Sequence, residues 1–230
     1  LGVVETTPRL SWFPVLAPPG WKATERAVKS DGSVCQNDAG HSYTQAGRAF
    51  PPERPILYDS FDELRHGVRH GAMDIMAARG APVVAPVDGV VPVTVRWKGA
   101  SYPGQGVSAN GGNYVYIQGV DGWQHYFAHM RNVRVRPGQK VVAGQQIGEV
   151  SDTGDAAGGC THLHYATELS DGTKFNQYQL LKQLYDAGLW QGSPVGTLPS
   201  WVWSTVATVT VGSVAIAGMW WWNRRRGRNA

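Results

Sequence analysis

Charge is scarce in this chain and badly placed for reading nucleic acid. The formal net charge is +4, and Arg224, Arg225, Arg226 and Arg228 account for all of it. A nucleic-acid-binding face spreads Lys and Arg over folded surface with aromatics between them. A basic run at the extreme C-terminus excludes that class of partner. Cysteine is nearly absent, with only Cys35 and Cys160. An exported protein can join them. Alternatively, Cys160 on a strand would share a face with His162 and line a site as a thiol. The H-E-x-x-H motif is missing, and with it the usual Glu base of a zinc peptidase. No signal peptide is visible and the first residue is Leu, so export followed by cleavage of a leader is expected.

Charge is missing altogether from residues 201–222. As a helix this stretch would span ~33 Å, enough for a bilayer core. Trp201 and Trp203 stand at one end and Trp220, Trp221 and Trp222 at the other, where aromatic belts sit. A single membrane-spanning helix in the lipid bilayer is expected. The arginines of the 223–230 tail would then lie on the cytoplasmic side, with the rest outside the cytoplasm.

What is present favours a turn-rich β protein: 42% hydrophobic residues, 29 Gly and 14 Pro. Residues 1–50 read as an extended arm and 51–191 as the catalytic domain, followed by a linker over 192–200. Within the arm, Asn37, Asp38 and His41 read as a solvated loop, or as a cover for a site elsewhere in the chain. Residues 61–65 read as a short helix and 99–112 as a long loop. Asp121-Gly122 signals a hairpin. Leu180, Leu181 and Leu184 before Gly188 signal a helix within 176–187.

The chemistry lies in His70 and Asp74, followed by His162-Leu163-His164. Residues two or four apart share one face of a strand. Two imidazoles and one carboxylate suit Zn²⁺, and three protein ligands leave a fourth position open, as in a catalytic site. Either motif alone is weak. Clustering strengthens them, because six of the seven histidines fall between His66 and His164. One of these is His129, which ends the run His125-Tyr126-Phe127-Ala128-His129.

Several ordered blocks carry a resemblance. They are His70-Gly71-Ala72-Met73-Asp74-Ile75, the Gly80-to-Val91 run, Gly112-Asn113-Tyr114-Val115, Phe127-Ala128-His129-Met130, Val135-Arg136-Pro137-Gly138, and Thr161-His162-Leu163-His164-Tyr165. Over about residues 66–185 the chain resembles the M23 family of zinc metallopeptidases, the lysostaphin-like peptidoglycan endopeptidases. The resemblance implies a mainly β, antiparallel-sheet metallopeptidase domain with few short helices. It implies Zn²⁺ held by His70, Asp74 and His164, with His129 and His162 in catalysis. The implied substrate is the stem peptides of peptidoglycan. Phe127 stands where the family often has Tyr, and Cys160-Thr161 replaces a small-residue and Pro pair.

A His pair would have to replace the missing Glu, accepting a proton or donating to a developing oxyanion. Which of the two is the base stays open. Three rival readings compete with this one. A catalytically silent cell-wall-binding protein of the same fold would be expected to lose ligands. A biotinyl or lipoyl carrier lacks its hairpin Lys here. A thiol peptidase built on Cys160 would have its nearest His locked in the same strand.

Overall fold

The computed structural model describes residues 7–8, 10–19, 54–57 and 59–192. The chain divides into two units, Leu1–Leu198 and Pro199–Ala230, and every described residue lies in the first. The expected anchor, its basic tail and Asn37, Asp38 and His41 lie outside the described residues. Among the described residues no helix is long and apolar enough to cross a membrane.

Fifteen strands appear in order among the described residues. The first five are β1 (Ile56–Leu57), β2 (Leu64–Arg65), β3 (Val68–Arg69), β4 (Met73–Met76) and β5 (Pro82–Val84). Next come β6 (Gly89–Val90), β7 (Thr94–Trp97), β8 (Ala100–Pro103), β9 (Gln105–Ser108) and β10 (Gly112–Gly119). The last are β11 (Gln124–Arg131), β12 (Lys140–Val141), β13 (Gln146–Val150), β14 (His162–Glu168) and β15 (Lys174–Phe175). One main sheet runs β1-β4-β14-β11-β10-β6-β12, with antiparallel neighbours throughout. Mainly antiparallel β structure is what the sequence implied.

Alternation along the central strands separates two faces. Met73, Ile75, Val115, Ile117, Phe127, Leu163 and Tyr165 are fully buried in the core. The opposite face carries Asp74, His164 and Ala128 in one cross-strand row. Ala166, Tyr126 and Tyr116 form the next row. Every polar group proposed from sequence for metal binding on β4 and β14 therefore stands on the face away from the core.

One α-helix, α1 (Tyr178–Asp186), packs Leu180, Leu181 and Leu184 inward, and Gly188 ends it in a left-handed conformation (φ 76°). Residues 10–19 also pack on this body: Phe13 and Val15 are buried, and Val15 bridges Val83. Leu181 is fully enclosed. Leu181→Ala is expected to cost about 2–5 kcal/mol, read from the urea midpoint at an unchanged slope.

Two local expectations fail, both for the same reason. Residues 61–65 form a turn leading into a hairpin, because His66 (φ 51°) and Gly67 (φ 79°) close β2 onto β3. The 99–112 stretch holds strands β8 and β9, because Lys98 (φ 49°) and Gly99 (φ 82°) make an equivalent turn between β7 and β8. Two successive positive-φ residues match the right-handed twist of a hairpin.

Candidate metal centre and active site

Asp74 and His164 are direct cross-strand partners on β4 and β14. His70 reaches them differently from the simple strand spacing, since it precedes β4. Gly71, at φ 64°, bends the chain between the two ligands. The three side chains converge closely. His70 Nε2 lies 3.1 Å from His164 Nδ1, and Asp74 Oδ1 lies 3.3 Å from the first and 3.2 Å from the second.

These distances suit a metal. Zinc–ligand bonds of about 2.0–2.1 Å in tetrahedral geometry separate ligand atoms by about 3.3 Å. Asp74 Oδ1 is buried without an aligned hydrogen bond, and such an atom calls for a partner. His70, Asp74 and His164 form the group that can hold a metal ion among the described residues.

The surroundings fix each donor. His70 Nδ1 faces the Ser60 carbonyl at 3.0 Å. A carbonyl can only accept, so this nitrogen carries the proton and Nε2 keeps its lone pair. Arg65 Nη2 donates to Asp74 Oδ2 at 2.7 Å, and the Asp74 N–H donates to Ser60 Oγ at 2.9 Å. Asp74 is thereby anchored through one oxygen while the other points to the imidazoles. Sequence reasoning missed both Arg65 and Ser60. Each acts across a fold-dependent contact that no local motif announces.

His162 and His129 stand beside this trio. Their rings are 4.8 Å apart, and His162 Nε2 is 3.8 Å from Asp74 Oδ1. His129 belongs here because of a β-bulge. Phe127 pairs with Val115 and Met130 with Asn113, so Ala128 and His129 together oppose Tyr114. The extra residue, His129 at φ 60°, is turned to the site face while Met130 returns to the core. His129 Nδ1 donates to the Thr153 carbonyl at 2.8 Å, and His162 Nδ1 donates to the Cys160 carbonyl at 2.8 Å. Both therefore keep Nε2 as an acceptor. Of the six clustered histidines two do not join the site: His66 turns the β2–β3 hairpin, and His125 is buried on the other face against Tyr165 Oη at 2.8 Å.

Electrostatics keep His129 and His164 neutral. Burial pushes His164 down to about 3, opposed by Asp74. Burial, reinforced by His162, pushes His129 down to about 4 against the Thr153 carbonyl and the Asp74 and Asp155 carboxylates. Burial alone would raise Asp74, but the imidazoles of His162, His164 and His70 outweigh it and hold the carboxyl well below its usual range. In unfolded chain the histidines titrate near 6.5. Below that pH the unfolded state binds protons that folded His129 and His164 do not, so stability falls as pH drops from about 6.5 towards 4. Depressed Asp74 acts the same way at still lower pH. The metal-free protein is expected to melt at a lower temperature at pH 5 than at pH 7, and a melting point independent of pH over that range would contradict this.

Cys160 is disulfide-bonded. The other cysteine, Cys35, lies outside the described residues. A thiol peptidase built on Cys160 has no thiol to use.

Residues 68–177 match Peptidase family M23. The peptidoglycan DD-endopeptidase ShyA of Vibrio cholerae is 35% identical over 133 residues, which make up 55% of this chain and 28% of ShyA. The cell division protein DipM of Caulobacter vibrioides is 30% identical over 125 residues, 54% of this chain and 19% of DipM. Among solved structures, the catalytic domain of lysostaphin from Staphylococcus simulans is 26% identical with a TM-score of 0.43, covering 56% of this chain and 92% of that domain. The chain spans less than a third of the length of the curated relatives it matches.

Proposed function

We propose that this chain, whose residues 68–177 match Peptidase family M23, is an endopeptidase cutting peptide cross-links of bacterial peptidoglycan. The cofactor is Zn²⁺, and the residues that would hold it are His70, Asp74 and His164. The observation that carries the reading is the convergence of those three ligand atoms within 3.1–3.3 Å on an open face, with two further imidazoles beside them. When bound, zinc supplies a Lewis acid for the scissile carbonyl and makes water acidic enough to react near neutral pH.

The chain's own groups do the rest. His129 and His162 each present an unprotonated Nε2 to the cleft, one suited to taking a proton and the other, once protonated, to facing a developing oxyanion. Thr153 and Cys160 carbonyls hold the rings in that tautomer. Arg65 holds Asp74 in place through Oδ2 and leaves Oδ1 to face the imidazoles. Removing an outer partner of a ligand typically costs 10–100-fold in metal affinity, so Arg65→Ala is expected to weaken zinc binding by about that factor. Arg65→Lys should restore part of it in competition with a chromophoric chelator. Equal affinity in all three proteins would remove Arg65 from the site.

Relatives named as peptidoglycan DD-endopeptidases support a cross-link between D-Ala and diaminopimelate as the target bond. A silent scaffold of the same fold is disfavoured by the complete ligand set. The test is release of new amino groups from purified peptidoglycan, lost on adding a zinc chelator. No release would end the reading. The anchor over 201–222, with the domain outside the cytoplasm of a bacterial or virion membrane, rests on the sequence. Partition of the whole chain into detergent, and protection of the Arg tail from external protease, are its expected signs.

A further inference from the structure

A cavity of about 370 Å³ opens beside the metal site, lined by Trp97, Tyr102, Tyr116 and Tyr126 with Ser108 and Asn110. We infer that it is a sugar subsite, which takes a neutral N-acetylated ring of the glycan strand carrying the peptide to be cut. The inference rests on the peptidoglycan reading and deepens it.

The lining selects for a neutral ring. No charged side chain lines the cavity among the described residues, so neither an ammonium nor a carboxylate would find a direct partner. An apolar side chain would fit the ring faces but cover the Tyr126 phenol and the Asn110 amide with nothing to bond them, at a cost for each. A sugar offers both kinds of surface: C–H faces for the aromatic rings, hydroxyl and acetamido groups for the polar tips. The aromatic wall is preorganised. Tyr116 and Tyr126 rings lie 4.6 Å apart, and Tyr114 sits 6.0 Å from each. Burial and the Glu168 carboxylate push the Tyr116 and Tyr126 phenols up, so both stay protonated; the Tyr116 hydroxyl bonds Glu168, and the Tyr126 hydroxyl faces the cavity beside Gly111.

Position fits as well. The near wall is Tyr126, whose ring meets His164 edge-on at 5.9 Å. The far wall is Trp97 on β7, beside Arg96, whose carbonyl accepts from Gln124 Nε2 at 3.2 Å. Gln124 is four residues along β11 from Ala128, the partner of His164. That is about 14 Å at strand rise, close to the about 13–14 Å spanned by four extended residues of peptide. A stem of that length with its cross-link at the metal would bring its sugar to Trp97. The cavity is also tied to the catalytic group. The Gly111 carbonyl accepts the His129 N–H at 2.8 Å, and a Cβ on Gly111 would lie 2.3 Å from Tyr126 Oη.

The test compares one cross-linked peptide with and without its N-acetylmuramic acid, using the whole chain with zinc bound. Wild type is expected to favour the sugar-bearing form about tenfold in kcat/KM, mostly through KM. Trp97→Ala should bring the ratio of the two substrates close to one. Tyr126→Phe, which keeps the ring and removes the hydroxyl, should lower it in part. A peptide-free disaccharide of the glycan, with its lactyl carboxyl capped as the amide to keep the ring neutral, should inhibit cleavage of the sugar-bearing form and spare the other. Equal cleavage of both forms by wild type overturns the subsite and leaves the peptidase reading intact. A preference that survives Trp97→Ala overturns it too. Cleavage of neither form overturns both.

Discussion

Asp74→Ala is expected to empty the site. Wild type should hold one zinc per chain after dialysis, and the variant close to none, with cleavage at the detection limit. The carboxylate contributes the only negative charge among the three candidate ligands, and its loss leaves the Arg65 guanidinium facing two imidazoles across a cavity. A cation then meets repulsion where it met attraction. His164→Ala should behave alike, because Nδ1 of His164 completes the triangle at 3.1 and 3.2 Å. Metal analysis checks both variants against circular dichroism as a control for folding. Full zinc content in either variant would remove that residue from the ligand set.

His129→Ala and His162→Ala should give the opposite signature: zinc retained, turnover lost. A positioned proton-transfer group contributes about 10²–10⁴-fold, so each variant should lose about that factor in kcat with little change in metal content. Groups that act as a unit are strongly non-additive. With rings 4.8 Å apart and facing the same ion, the double variant should be little worse than either single one. Additive losses would mean that the two rings serve separate steps. Loss of zinc from His162→Ala would mean that it, too, ligates the metal, which its 3.8 Å approach to Asp74 makes a real alternative outcome.

The chemistry of this chain was more legible in sequence than its local geometry. His164 and Asp74 come together in the sequence through the resemblance alone, and the register makes them direct cross-strand partners. His70 arrives by a bend at Gly71, so the strand-spacing argument does not describe how it reaches Asp74. His129 would face the core on a regular strand. Its place in the site depends on a bulge that alternation cannot reveal. The mistaken helix at 61–65 and loop at 99–112 both hide hairpins closed by a non-glycine residue with positive φ, His66 and Lys98, which carry no turn signature of their own. Arg65 escapes sequence reading altogether. Its role depends on the β2–β3 hairpin lying over Asp74, a tertiary event.

The most direct measurement is mass spectrometry of purified peptidoglycan digested by the whole zinc-loaded chain. The expected products carry new amino termini within the cross-linked peptides. They should disappear with a zinc chelator or with Asp74→Ala, and persist with a thiol blocker. Cleaved glycan strands with intact peptides, or products indifferent to the chelator, would contradict a zinc endopeptidase.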